Sequence, residues 1–165
     1  MAVSRLNEAM APTQTWPMAT SPTPKMTDQQ WLDLNDGVIA EFRANGGHCG
    51  GRWEGNPMVV LTTVGAKSGK ARTSPLTYTT DGDRIVLIAS RAGDDRHPDW
   101  YHNLVANPEV VIEMGTERFD ARARVAEEPE RTRLLAARIA VMPRFGGYVD
   151  MTDRTIPVVV IDRTP

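Results

Sequence analysis

From Pro57 onward the chain consists of short runs rich in β-branched residues, and these runs limit the folds open to it. Each run has the length of one strand, and turn-forming pairs such as Asp81-Gly82 separate neighbouring runs. Strands joined by tight turns pair antiparallel, so the pattern predicts a meander. Pro157 predicts an edge strand or the first position of a strand. The predicted strands cover residues 58–64, 72–80, 84–89, 110–114, 118–126 and 156–161.

Three other segments carry apolar residues at helical spacing. Thr27 and Gln30 form a capping-box pattern before the first of them. The predicted helices cover residues 28–44, about 97–107 and 128–141, whereas the glycine-rich residues 45–51 and 142–148 predict loops. About six mostly antiparallel strands with three helices indicate an α+β fold with a closed or partly closed barrel. A doubly wound parallel sheet is the weaker alternative, because no GxGxxG or Walker lysine motif is present.

Composition sets the domain count and excludes several functions. The 165 residues are enough for one core, and we expect a single domain over residues 27–165 after a flexible arm over residues 1–26. The net charge of -2 argues against a general nucleic-acid binder. One cysteine, Cys49, allows no internal disulfide, and a cytoplasmic location is expected. A contact of the arm with a membrane surface or a partner stays open.

The segment 61–76, LTTVGAKSGKARTSPL, is the most informative for function. A strand ends there in a glycine-framed turn that carries Lys67, Ser68 and Lys70, and Arg72 follows. The segment contains no acidic residue, so its cations and backbone N–H groups can converge on a phosphate or carboxylate. A solvated hairpin turn without a specific ligand is the alternative.

Three further segments carry candidate residues. Arg91, in Ala89-Ser90-Arg91-Ala92-Gly93, adds a cation, and Trp100 offers a flat wall for a fused ring or serves as core. In the stretch 142–148, Tyr148 can orient or protonate an acceptor or can simply pack. The three histidines show no metal-binding motif, so no metal is expected.

Four motifs together resemble the deazaflavin-dependent nitroreductase and quinone reductase family of split β-barrel oxidoreductases. They are TTVGAKSG, ASRAG, WYHNLVANP and TDRTIP, and the resemblance covers about residues 30–162. It implies an FMN-binding-like split barrel that uses coenzyme F420. It also implies hydride transfer from C5 of the reduced deazaflavin to a small acceptor such as a quinone, nitroaromatic or activated enone.

The resemblance also assigns roles to individual residues. Around the coenzyme's phosphate and polyglutamate tail it places Lys67, Ser68, Lys70, Arg72 and Arg91. Near the deazaflavin it places Thr63, Pro75, Leu76, Trp100 and Tyr101. On the acceptor side it places Ser90, Met142, Phe145 and Tyr148, of which Ser90 and Tyr148 are the candidate catalytic groups. Relatives can have tyrosines where this chain has Met142 and Phe145, so the preferred acceptor stays open.

Two other functions are alternatives. One is a non-catalytic barrel that holds the coenzyme or a fatty acid, and the other is a reductase that uses FMN. The several cations favour the longer polyanionic coenzyme. Both a monomer and a homodimer are compatible with the sequence.

Overall fold

A computed structural model describes residues 26–165, so the predicted N-terminal arm lies outside the described residues except for Met26. Four α-helices occur within residues 26–165: α1 (Asp28–Ala44), α2 (Asp99–Ala106), α3 (Glu130–Val141) and α4 (Arg144–Asp150). Two short 3-10 helices cover Gly51–Trp53 and Arg91–Gly93. The strands are β1 (Met58–Val64), β2 (Ala71–Thr77), β3 (Thr79–Asp81), β4 (Arg84–Ile88), β5 (Glu109–Met114), β6 (Glu117–Val125) and β7 (Val158–Arg163).

The seven strands form one antiparallel sheet with the order β2-β1-β5-β6-β7-β4-β3. The two outermost strands, β2 and β3, are consecutive in the chain and are separated by Tyr78 alone. One residue cannot span a flat seven-stranded sheet, because neighbouring strands lie about 4.8 Å apart. The sheet must therefore curl until its two edges meet. We call residues 77–79 the seam.

Successive side chains of each strand point to opposite sides of the curled sheet, and apolar residues occur on both of its faces. The inner face holds residues from both ends of the sheet order, such as Leu61 of β1 and Leu87 of β4, together with Trp100 and Leu104 of α2. The outer face is covered by α1 over β1 and by α3 and α4 over β4 and β7. The α2 helix thus fills the interior, while the other helices pack outside.

Local sequence signals predicted several elements correctly. The capping box is present, with the Gln30 N–H donating to Thr27 Oγ1 at 3.2 Å and the Thr27 N–H donating to Gln30 Oε1 at 2.8 Å. The Asp81-Gly82 hairpin joins β3 to β4, and Gly82 has the positive φ of 63° that such a turn requires. The predicted α+β class is confirmed.

One strand prediction was wrong. The run 72–80 is not one strand, because it breaks at Tyr78, whose N–H donates to Pro57 O at 3.1 Å just beyond the last β1–β2 pair. Its two parts pair with different partners, β1 and β4. Of the two alternatives for Pro157, the structure excludes the edge strand, since β7 lies between β6 and β4. Pro157 directly precedes Val158, the first residue of β7, which is close to the other alternative.

The predicted loop over residues 142–148 was also wrong, because residues 144–150 form α4. Gly146 and Gly147 argue locally against a helix, but Phe145 and Tyr148 lie three residues apart and bury one helical face in the outer core. A Cβ at Gly146 would lie 3.5 Å from Ile139 Cγ2, an ordinary contact distance, so the packing of α4 on α3 does not require glycine there. Burial here outweighs helix propensity.

Candidate functional site

The turn between β1 and β2 is held rigidly by its own backbone. The Gly65 N–H donates to Lys70 O at 2.8 Å, and the Gly69 N–H donates to Gly65 O at 2.9 Å. Ser68 Oγ accepts the Lys70 N–H at 3.2 Å, which leaves the hydroxyl proton available for a ligand. A Cβ at position 65 would lie 2.5 Å from Ser68 Oγ, so the turn requires glycine there.

Asn103 of α2 fixes this turn to the strand before it. Its Oδ1 accepts the Ala66 N–H at 2.9 Å, and its Nδ2 donates to Thr63 Oγ1 at 3.1 Å. Asn103 is 8% exposed and Thr63 is 1% exposed, so both bonds are shielded from water. Sequence reasoning did not assign a role to Asn103, although the WYHNLVANP motif contains it. A polar residue on the buried side of a short helix is the signal that could have identified it.

The tip of the turn presents cations and backbone donors without partners of their own. The side chains of Lys67, Lys70 and Arg72 are exposed, and within residues 26–165 none of them forms an ion pair. In the same part of the chain, the N–H groups of Lys67 and Ser68 donate to no protein oxygen. Cations and free N–H groups at one turn form an anion-binding site.

The inner face continues from this turn. Arg72 pairs with Thr63 in the β1–β2 register, so their side chains lie side by side on that face. Trp100 is part of the inner core, and Leu76 and Tyr101 pack against that core while partly exposed. The structure therefore places Thr63, Leu76 and the two aromatic residues on the inner face, with Arg72 beside Thr63 at one end of β2 and Leu76 near the other end.

Pro75 does not join this group. It pairs with Val60, which belongs to the cluster under α1, whereas the neighbouring Leu76 pairs with Val59 of the inner core. Successive strand residues face opposite sides, so the Pro75 ring lies on the outer face. Its position in the edge strand β2 explains why a residue without an N–H is accommodated there.

Arg91 is already engaged by carboxylates. Its Nη2 donates to Asp28 Oδ1 at 2.7 Å, and its Nε lies 3.6 Å from Asp94 Oδ2 without a hydrogen bond. Hydrogen bonding to Arg91 and the charge of Arg96 lower the pKa of Asp28. Arg91 and Ala92 both have left-handed backbones, with φ values of 45° and 52°. Such consecutive strained residues are typical of functional sites. The guanidinium of Arg91, predicted to bind the coenzyme, is however already hydrogen-bonded to Asp28.

Arg154 holds the segment that follows β4. Its guanidinium donates to Asp94 O at 2.8 Å, Ser90 O at 2.9 Å and Ala89 O at 3.2 Å, and Nη1 lies 2.8 Å from His97 Nδ1. Because Nη1 can only donate, His97 Nδ1 accepts. Burial and the Arg154 charge lower the pKa of His97. Sequence reasoning gave Arg154 no role, although the TDRTIP motif contains it.

The acceptor-side candidates form a second, buried group. Met142, Phe145 and Tyr148 lie in the outer core, with the Phe145 and Tyr148 ring centroids 5.3 Å apart in an edge-on arrangement. Burial raises the pKa of Tyr148 to about 12, so its hydroxyl stays protonated and able to donate. Ser90 is buried at the end of β4, and the following 3-10 helix packs against α4.

The two groups lie on opposite faces of the sheet, with Trp100 in the inner core and Tyr148 in the outer core. The chain connects the two sides after β4, where the 3-10 helix that follows Ser90 contacts α4 and leads on to α2. No group of three histidine, cysteine, aspartate or glutamate residues that could hold a metal occurs within residues 26–165. No helix in the same range is long and apolar enough to span a bilayer.

Comparisons with known proteins show which proteins the chain is similar to. The family model of F420H(2)-dependent quinone reductase matches residues 37–163. An F420H(2)-dependent quinone reductase of Mycobacterium tuberculosis is 39% identical over 148 residues, which cover 84% of this chain and 99% of that protein.

Solved structures show the same fold. A structure described as an F420-H2 dependent reductase is 38% identical, with a TM-score of 0.59, over 64% of this chain and 94% of that chain. Another, described as a domain-swapped dimer, is 34% identical, with a TM-score of 0.61, over 82% of this chain and all (100%) of that chain. The curled sheet is a split β-barrel, as the resemblance implied.

Proposed function

The chain belongs to the F420H(2)-dependent quinone reductase family, and we propose that it reduces quinones with coenzyme F420 held by the turn after β1. The observation that carries the proposal is this turn, in which Lys67, Lys70 and Arg72 lack carboxylate partners within residues 26–165. Nitroaromatics and activated enones are further acceptors that we propose for the same site.

The donor set fits the coenzyme. A phosphate and a polyglutamate tail need several cations and N–H donors, which the turn offers at its tip. Thr63, Leu76, Trp100 and Tyr101 offer a mainly apolar surface with two hydroxyls for the flat deazaflavin, of which the Thr63 hydroxyl already accepts from Asn103. When bound, the reduced coenzyme supplies a hydride from C5 of the deazaflavin.

The protein's own residues would position the acceptor and stabilise the negative charge that develops on it. A quinone that gains a hydride needs one proton to become the hydroquinone, and negative charge develops on its oxygen until the proton arrives. Tyr148 keeps its proton at neutral pH because burial raises its pKa to about 12, so it can donate a hydrogen bond to that oxygen. Ser90 offers a second hydroxyl at the end of β4. Solvent can then supply the proton.

An anaerobic assay tests this function. Purified protein is mixed with reduced F420 and with menadione, a nitroimidazole or a cyclic enone, and the return of coenzyme absorbance is followed. We expect turnover with menadione. Coenzyme binding without turnover of any acceptor would favour a non-catalytic carrier, and copurification of FMN with no affinity for F420 would favour a flavin enzyme.

The coenzyme-binding role of the turn has its own test. Lys67→Ala combined with Arg72→Ala removes two cations, each worth roughly 1 kcal/mol at an exposed site, so we expect about thirtyfold weaker F420 binding. The salt dependence of binding should also decrease. Arg122→Ala with Arg163→Ala removes two exposed cations of β6 and β7 and serves as the control. Equal affinity of the two double variants would exclude the turn as the tail site.

Assembly and location are further proposals. We propose a homodimer, which is supported by the 34% identical structure described as a domain-swapped dimer. Light scattering of the purified protein measures the mass, and a monomer would contradict the proposal. A cytoplasmic location also stays a proposal, which cell fractionation tests. The predicted membrane or partner contact of the arm lies outside the described residues.

A further inference from the structure

Arg138 of α3 is a fully buried guanidinium at the seam of the barrel. Its exposed fraction is 0%, and it donates to the Thr77 and Val86 carbonyl oxygens at 3.4 and 2.7 Å. It also donates to the hydroxyls of Thr77 and Thr79, both at 3.3 Å. Arg138, itself part of α3, thereby links the two edge strands of the curled sheet, β2 and β3, to each other and to β4.

The charge of Arg138 has no carboxylate to neutralise it within residues 26–165. Burial lowers its pKa to about 10, which still leaves the group protonated at neutral pH. Burying an unpaired charge is costly, and apolar residues of similar volume often replace buried charges without loss of stability. The fold thus holds a buried positive charge by hydrogen bonds alone, and this charge can act on groups beside it.

The charge lies directly behind the acceptor-side aromatic residues. The guanidinium carbon of Arg138 is 4.8 Å from the centroid of the Phe145 ring, which in turn contacts Tyr148. A second guanidinium, that of the partly exposed Arg144, lies 5.8 Å from the same centroid. An aromatic ring transmits the field of a cation with little screening because it excludes water. A planar acceptor on the far side of the Phe145 ring would lie roughly 8 Å from the charge, given a stacking distance of about 3.5 Å.

We propose that Arg138 is a positioning residue for the acceptor, which fixes the Phe145 ring and favours acceptors that carry or develop negative charge. The inference rests on the proposed function, because it takes the acceptor to lie beside Phe145 and Tyr148. At about 8 Å and an effective dielectric constant of about 20, Coulomb's law gives a preference of about thirtyfold for an anion. Partial screening by solvent reduces this to about tenfold.

Binding measured without coenzyme tests the inference. The probes are menadione, which is neutral, and 2-hydroxy-1,4-naphthoquinone, which is ionised at pH 7, and calorimetry gives the Kd of each. Arg138→Gln keeps hydrogen-bond donors without the charge, Arg138→Met keeps the volume, and Arg138→Lys keeps the charge. Arg133→Gln is the control, since Arg133 is an exposed cation on the same helix, paired with Asp81.

We expect the wild type and the Arg133→Gln protein to bind the anionic quinone about tenfold tighter than menadione. Arg138→Gln and Arg138→Met should lose most of that preference, because the remaining cation at the ring, Arg144, is partly exposed and more strongly screened by solvent. Arg138→Lys should retain most of it. A wild type without anion preference would overturn the inference, as would an Arg138→Gln protein that keeps it. Failure of both neutral variants to fold would also overturn it, because the role would then be structural. Turnover of menadione by the wild type tests the proposed function independently of these outcomes.

Discussion

Removal of the Asn103 side chain should loosen the turn between β1 and β2, which we propose binds the coenzyme, without changing its charges. Asn103→Ala deletes the hydrogen bonds at 2.9 Å to Ala66 and at 3.1 Å to Thr63. Each bond contributes about 1 kcal/mol net, and the buried Thr63 hydroxyl left without a partner costs about 1 kcal/mol more. We therefore expect a loss of about 3 kcal/mol in the free energy of unfolding. For a chain of this size that lowers the Tm by roughly 6–12 °C.

Coenzyme binding should weaken for a separate reason. A turn released from Asn103 must be ordered again when the ligand binds, and fixing the backbone of one residue costs about 1–2 kcal/mol. We expect the F420 Kd to rise about tenfold. The salt dependence of binding should stay that of the wild type, because Lys67, Lys70 and Arg72 are all retained. This separates the variant from the double variant of Lys67 and Arg72, which loses salt dependence.

Fluorescence titration of F420 at several salt concentrations, together with thermal melts, measures both effects. Asn107→Ala is the matched control, since Asn107 is an exposed residue that follows the same helix. A double-mutant cycle with Thr63→Val should show coupling, because the two side chains share one hydrogen bond. If Asn103→Ala left both the Tm and the Kd unchanged, the reasoning about this residue would be refuted.

Three further predictions follow from individual contacts. Gly65→Ala places a Cβ 2.5 Å from a side-chain oxygen of the same turn, so F420 affinity should fall in a titration, whereas Gly37→Ala, with open space around its Cβ, should leave it unchanged. Asp28→Asn removes the carboxylate 2.7 Å from Arg91, and calorimetry should show tighter F420 binding at low salt; unchanged binding would exclude Arg91 as a ligand. The pKa of His97 is lowered in the fold, so the unfolded chain binds its proton first as the pH falls below about 6.5. As the pH is lowered from about 6.5 to the lower pKa of His97 in the folded protein, the free energy of unfolding should therefore decrease. Urea denaturation at several pH values should show a smaller decrease for His97→Gln.

Short-range signals in the sequence predicted most of the elements correctly. The capping box at Thr27 and the hairpin at Asp81-Gly82 depend on residues within a few positions of one another, so the sequence contains everything needed to identify them. The TTVGAKSG motif likewise identified the turn, since the rigid backbone of that turn is built from its own glycines and serine. The four motifs that carry the family resemblance are also short segments of sequence. The comparisons with known proteins confirm the family, the split barrel and coenzyme F420 that this resemblance implied.

Elements whose conformation depends on distant partners were not predictable in this way. The α4 helix forms because Phe145 and Tyr148 find a buried surface on strands far along the chain, which outweighs two glycines. The break at Tyr78 exists because the sheet must close there, and the run of strand-forming residues gives no sign of it. Pro75 and Leu76 are neighbours in sequence, yet the register of β2 on β1 sends them to opposite faces.

The sequence by itself determined most of the strands, the turn chemistry and the supply of cations, because these follow from residue type and short spacing. Tertiary structure alone decided which of these cations are available to bind an anionic ligand. Arg91 is occupied by Asp28 from another element, Lys67 has no such partner within residues 26–165, and Arg138 is enclosed at the seam. Charge is a property of a residue, but the burial and pairing that give the charge its effect arise from residues brought together by the fold.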